Sequence, residues 1–225
     1  MLPDWNYNDP EHWGDLCSQF AICAKGSTQS PIDLSQADEV TLAPLKFDYH
    51  GGVQALFNNG HTIQLQCSQN SSLVYDGLRY TLGQFHFHHP SEHTIDGERA
   101  AMEMHLVHKQ MDTGQLAVVA VLIQIGEDDN PQYAPIFDNL PAEVGDTEHA
   151  KPQRLDPSAL LPEDWSHYYV YTGSLTTPPC SEDVKWIILG TPVQLSLAQV
   201  DRFADLYHNN ARPLQPRNTR RLLHT

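Results

Sequence analysis

The densest run of reactive side chains is Gly83–His93, GQFHFHHPSEH, with four histidines and one glutamate in eleven residues. Along a β-strand, alternate side chains share a face. His86 and His88 therefore share one face with Gln84, while Phe85, Phe87 and His89 take the other. Two imidazoles one residue apart can reach a single metal ion. Each uses one ring nitrogen, and the other nitrogen needs a partner that fixes ring and tautomer. Gln84 is spaced to supply that bond to His86. The segment AAMEMHLVHK repeats the pattern, with Glu103, His105 and Val107 on one face and Met102, Met104, Leu106 and His108 on the other. Glu103 would orient His105 as Gln84 orients His86. Three neutral histidines on neighbouring strands leave a fourth tetrahedral position open, as in catalytic zinc sites, and an all-imidazole set prefers zinc. The set His86, His88 and Glu92 also matches half of a cupin metal motif. Tyr80 and Arg99 stand where that motif wants glycine, so the cupin match is weak.

These side chains need strands to hold them. Period-2 runs broken by Gly, Pro, Asn and Asp predict strands at Gln54–Asn58, Thr62–Cys67, Leu73–Tyr75, Arg79–His88, Ala101–Lys109, Leu116–Ile125, His167–Tyr171 and Trp186–Leu189. Asp-Gly in YDGLRY predicts a hairpin, and MDTGQ a second one. Helical patterning is confined to NPQYAPIFDNL and to Ser196–His208, which opens on a serine cap. The expected fold is mainly β (α+β). It is one domain over residues 1–225, with a large, twisted, mostly antiparallel central sheet and short peripheral helices.

The 225 residues suit a single core. A net charge of −15 repels phosphate backbones and anionic lipids, so nucleic acid and membrane are not expected partners. No apolar run has the ~18 residues a membrane helix needs. The first residues carry no basic end and no apolar core, so any signal peptide is expected to have been removed. The four cysteines, Cys17, Cys23, Cys67 and Cys180, form no C-x-x-C pair. Buried thiols and a disulfide between distant segments both remain open, with three full connectivities.

PEHWG, QSPIDL, NNGHTIQL, QFHFHHPSEHT, MEMHLVH and GSLTTPPCSE occur in this order and together resemble the α-class carbonic anhydrases, with forms closer to bacterial, often secreted members. The resemblance runs from Trp5 to about Arg221. It implies that family's fold and a zinc enzyme interconverting carbon dioxide and bicarbonate by zinc-hydroxide attack, with Zn2+ on His86, His88 and His105. Gln84, Glu103 and a carbonyl near Asn210 would orient those rings. Glu92, ionised and able only to accept, would accept a hydrogen bond from the Thr176 hydroxyl, which in turn would accept one from the hydroxide. Thr177 would contact bicarbonate, and Val107, Val118, Leu175, Val184 and Trp186 would wall the carbon dioxide site. His61 would shuttle protons through water held by Tyr7, Asn59 and Gln64. The Tyr7 match is the loosest, because Trp5-Asn6-Tyr7 replaces the usual opening.

The same resemblance pairs Cys23 with Cys180 and leaves Cys17 and Cys67 to pair, cross-link subunits or stay free. It implies cis bonds at Ser30-Pro31 and Pro178-Pro179, scaffold roles for His93 (with Tyr171) and His108, and no ligand role for His89. Arg212-Pro213 would wrap beneath the site. A secreted or periplasmic location and carbon dioxide or bicarbonate as the small-molecule partner follow, and a homodimer stays open. Against this reading stand an inactive carbonic-anhydrase-like binding domain, whose members lose zinc histidines that this chain keeps, and the cupin-type oxygenase.

Overall fold

A computed structural model describes residues 2–145 and 155–225. Thirteen strands are found among them: β1 Asp38–Glu39, β2 Lys46–Asp48, β3 Val53–Asn58, β4 Ile63–Cys67, β5 Ser72–Tyr75, β6 Leu78–His88, β7 Thr94–Ile95, β8 Glu98–Arg99, β9 Met102–Lys109, β10 Leu116–Gly126, β11 Tyr168–Ser174, β12 Glu182–Ser196 and β13 Leu223–His224. Eleven form one sheet, ordered β1-β13-β11-β12-β10-β9-β6-β4-β3, with β2 and β5 attached beside β6. Only β1–β13 and β10–β12 pair in parallel. The expected strands are all present with ends shifted by a few residues. β12 runs much further than its expected core, because Glu182–Ser196 pairs with β10 and β11 in turn.

The alternation of β10 explains the two cores. Val119, Val121 and Ile123 join Phe85, Phe87, Met104 and Leu106 in the larger cluster. Val118, Ala120 and Leu122 join Trp186 and Ile188 in a smaller one on the other face. A strand buried on both faces reads as a continuous apolar run, as LAVVAVLI does. The hairpin between β5 and β6 turns at Asp76 and Gly77, with φ of 50° and 76°, the positive values a two-residue turn of this hand requires.

Helix α4, Leu197–Ala204, follows β12 and carries a full capping box between Ser196 and Gln199. α3 is the short Ala134–Phe137. Helical structure extends beyond the two expected segments: α1 Trp13–Leu16, α2 Ile22–Lys25 and 3₁₀ turns at Pro10–His12, Ser18–Phe20 and Pro157–Leu160. These pieces are one turn each, too short to write a 3.6-residue period. Burial of Trp13, Phe20 and Cys23 against Cys180 holds the N-terminal ones.

His108, on the β9 face opposite His105, is fully buried. Its Nδ1–H donates to the Leu106 carbonyl at 2.9 Å and its Nε2 accepts from the Tyr49 hydroxyl at 2.8 Å. Burial lowers its pKa from 6.5 to about 4, against the opposing pull of the Leu106 and Ala117 carbonyls. The unfolded chain therefore takes up this proton below pH 6.5 while the folded chain refuses it until about pH 4. Stability falls as pH drops through that window, by about 3 kcal/mol at ~1.4 kcal/mol per unit. His108→Gln should flatten this part of the acid limb in urea midpoints measured from pH 7 to 4. Parallel curves for variant and parent would contradict it.

Candidate metal centre

Register brings the histidines together. His86 on β6 lies directly opposite His105 on β9, and His88 opposite Glu103. Ring centroids of His86, His88 and His105 are 4.5–5.3 Å apart. One nitrogen of each ring is already committed. His86 Nδ1 is 2.8 Å from Gln84 Oε1, His88 Nδ1 2.7 Å from the Asn210 carbonyl, and His105 Nε2 2.7 Å from Glu103 Oε1. Carbonyl and carboxylate oxygens only accept, so these three nitrogens carry the protons. The lone pairs left over are His86 Nε2, His88 Nε2 and His105 Nδ1. Ligand atoms of the three residues all lie within 4.8 Å of one another.

Protonation does not compete for those lone pairs at neutral pH. Burial lowers all three pKa values, with His86 held well below the usual imidazole value and His88 at about 4. His88 Nε2 is buried and has no hydrogen-bond partner. Such an orphan is costly in a finished interior. A cation at the convergence point would satisfy it, so the residues fit zinc.

Glu103 anchors a network behind His105. Its Oε1 accepts from His105 Nε2 and His93 Nδ1, both at 2.7 Å, and its Oε2 accepts the backbone N–H groups of Glu92 and His93 at 2.8 Å. Burial alone would raise this carboxyl, but His93 and His105 outweigh it and hold the pKa well below the ordinary range. His93 Nε2 then accepts from the Tyr171 hydroxyl at 2.8 Å, which is bonded to Ser30 Oγ at 2.7 Å. Ser30 and Ser174 exchange bonds, and Trp186 Nε1 donates to the Ser174 carbonyl. His93 is thus tied into the scaffold. His89 binds the His208 carbonyl through Nδ1, away from the trio.

Glu92 is fully buried, 3.6 Å from His88 Nδ1 and 3.9 Å from His105 Nδ1. Its Oε1 accepts the Arg212 backbone N–H at 2.8 Å. Burial raises its pKa, while His105, the Thr176 hydroxyl and that N–H pull it down. The Thr176 hydroxyl is near enough for this effect without closing a hydrogen bond to Oε2, which has no partner.

A cleft of about 110 Å³ opens beside His86 and His88, lined also by Thr177, Gln84, Gln64, His61, Tyr7 and Trp5. Asn59 Nδ2 donates to Gln64 Oε1 at 3.2 Å, and Asn59 Oδ1 accepts the N–H groups of His61 and Thr62. Asn59 therefore holds the turn that presents His61. The His61 ring stacks on Trp5 with centroids 3.7 Å apart, and partial burial lowers its pKa. Val107, Val118, Leu175, Val184 and Trp186 all belong to the smaller cluster, and the Trp186 ring is 4.8 Å from His105. A larger groove of about 780 Å³ near Gln110–Leu116 shares no lining residue with this cleft.

Cys23 and Cys180 form a disulfide, while Cys17 and Cys67 are free. Ser30-Pro31 and Pro178-Pro179 are cis as expected, and so is His89-Pro90. Sequence reasoning missed the buried Arg212 guanidinium and the Asn210 side chain. Both act through partners more than a hundred residues away, which no local spacing encodes.

This constellation on a large mixed sheet defines a class. Residues 8–225 match the family model of the eukaryotic-type carbonic anhydrase. A carbonic anhydrase of Pectobacterium carotovorum is 42% identical over 224 residues, covering 98% of this chain and 90% of that protein. Among solved structures, the Thermovibrio ammonificans α-carbonic anhydrase in complex with the inhibitor sulfanilamide superposes with a TM-score of 0.93 at 41% identity, covering 98% of each chain. The Photobacterium profundum α-carbonic anhydrase gives 0.91 at 44% identity, covering 98% of this chain and 100% of that one. The chain belongs to the α-carbonic anhydrase family.

Proposed function

We propose that this chain catalyses the reversible hydration of carbon dioxide to bicarbonate and a proton, with zinc held by His86, His88 and His105. The observation that carries the reading is the convergence of three unprotonated imidazole nitrogens, each on a ring whose other nitrogen is already bonded. Zinc on these three would keep a fourth position open and bring the pKa of a water there to about 7, supplying a hydroxide at neutral pH.

The chain's own residues do the rest. Val107 and Leu175, half-buried against Val118, Val184 and Trp186, would give an uncharged substrate an apolar wall, and Thr177 in the cleft supplies a polar contact for bicarbonate. Glu92, steadied by the Arg212 N–H, offers Oε2 to the Thr176 hydroxyl proton. That leaves the Thr176 oxygen facing the site as an acceptor, which favours ligands carrying a proton to donate. His61 takes the product proton outward through water held by Tyr7, Asn59 and Gln64. A neutral imidazole is the right starting state for that task, and burial of His61 favours it. The disulfide supports a secreted or periplasmic location.

Zinc analysis with stopped-flow carbon dioxide hydration tests the activity. One equivalent of zinc with fast hydration and slow ester hydrolysis is expected, and bound zinc without hydration would leave a binding domain instead. His61→Ala should cut turnover at least about tenfold in weak buffer, with recovery on adding imidazole. Unchanged turnover in weak buffer would remove His61 from the proton path.

A further inference from the structure

Residues Asn210, Ala211 and Arg212 belong to no helix or strand, yet they touch the site at several points. The Asn210 carbonyl accepts from His88 Nδ1 at 2.7 Å, and the Arg212 N–H donates to Glu92 Oε1 at 2.8 Å. Asn210 Nδ2 also donates to the carbonyls of His61 and Phe87, at 3.1 and 3.0 Å. An irregular segment keeps such positions only if it is anchored, because its backbone has no ladder of its own.

Asn210 is held by its own bonds to His61, Phe87 and His89, and the Arg212 side chain anchors the other end of the segment. Arg212 is 2% exposed. Nη1 donates to Gln29 Oε1 at 2.9 Å and to the Ser30 carbonyl at 2.8 Å, and Nη2 donates to the Cys23 carbonyl at 2.8 Å. Its Cζ sits 5.7 Å from the Trp13 ring centroid. Among the described residues no carboxylate pairs with the guanidinium, and its Nε has no partner. A cation desolvated this far, hydrogen-bonded only to neutral acceptors and with Glu92 as the nearby charge that favours it, is a poor stabilising device. Its forked shape does suit one task, which is to grip three acceptors on one N-terminal segment at once.

We propose that Arg212 is a positioning residue. Its side chain locks residues 210–212 to the disulfide-bearing turn at Cys23–Ser30, so that one carbonyl meets His88 and one N–H meets Glu92. The proposal rests on reading His88 as a metal ligand, and its test includes a readout that needs no metal.

In the metal-free protein, proton exchange at His88 Nδ1 is followed by NMR for the parent, Arg212→Met and Arg212→Lys. Zinc affinity is measured in parallel by chelator competition, well below the thermal midpoint. The parent should show a slowly exchanging Nδ1 proton. Arg212→Met should exchange it fast and bind zinc about 10–100-fold more weakly, the range for losing a ligand's supporting bond. Lysine, a point charge without the fork, should fall between. If Arg212→Met does not fold, Gln29→Leu removes one grip and should shift both readouts the same way by less. Parent-like exchange and affinity in the variants, with only a lower thermal midpoint, would overturn the proposal. A parent that binds no zinc would instead overturn the ligand reading, and the exchange data would still decide the role of Arg212.

Discussion

His88→Ala is expected to bring bound zinc from one equivalent to almost none, and carbon dioxide hydration to the uncatalysed background. In the proposed trio, His88 is the residue whose free nitrogen is buried without a hydrogen-bond partner, and no neighbouring side chain stands in for it. Deleting it leaves two imidazoles and strands the Asn210 carbonyl. Without the metal, the pKa of water returns from about 7 toward 15.7, and no hydroxide is available at neutral pH. Gln84→Ala offers the graded comparison. It removes only the partner of His86 Nδ1 and should weaken zinc about 10–100-fold while leaving some activity at saturating metal. Full zinc and full hydration in His88→Ala would remove that residue from the metal centre.

Reduction of the Cys23–Cys180 bridge is expected to lower stability by about 3–5 kcal/mol. The two cysteines are 157 residues apart, and the chain-entropy account puts a closed loop of that length near the top of the range. For a domain of this size the thermal midpoint should fall by roughly 6–20 °C. The bridge also braces the cleft. The Cys180 N–H donates to the Thr177 carbonyl at 2.8 Å, the Leu175 N–H to the Ser181 carbonyl at 2.9 Å, and Gln29 Nε2 to the Cys180 carbonyl at 3.1 Å. Cys67 does not confuse the experiment, since it is buried and its thiol is pushed up to about 12. Cys23→Ser with Cys180→Ser should reproduce the effect of reductant, and reductant should then add nothing. An unchanged midpoint would contradict the assignment.

Much of this was legible in the sequence because β-structure writes its faces in alternate residues. Gln84, His86 and His88 could be assigned to one face, and Glu103 and His105 to one face of the next strand, from spacing alone. Once those two strands pair, the cross-strand register fixes the trio. The resemblance to a family supplied what alternation cannot, such as Thr176, which lies far along the chain from Glu92. The short N-terminal helical turns were illegible because one turn carries no period. The Arg212 guanidinium was illegible for a different reason: the resemblance put Arg212-Pro213 in a segment beneath the site, but only the closed fold shows the three acceptors around its side chain. His61 could be found from its block, but its stacking on Trp5 could not, since that contact depends on where the N-terminal segment crosses the cleft.

The central claim is that zinc sits on His86, His88 and His105 with one position open. X-ray absorption at the zinc edge of the loaded protein tests it most directly. The account predicts three imidazole nitrogens at about 2.0–2.1 Å and one further oxygen from solvent. A sulfur shell near 2.3 Å, or a first shell with fewer than three imidazoles, would contradict it.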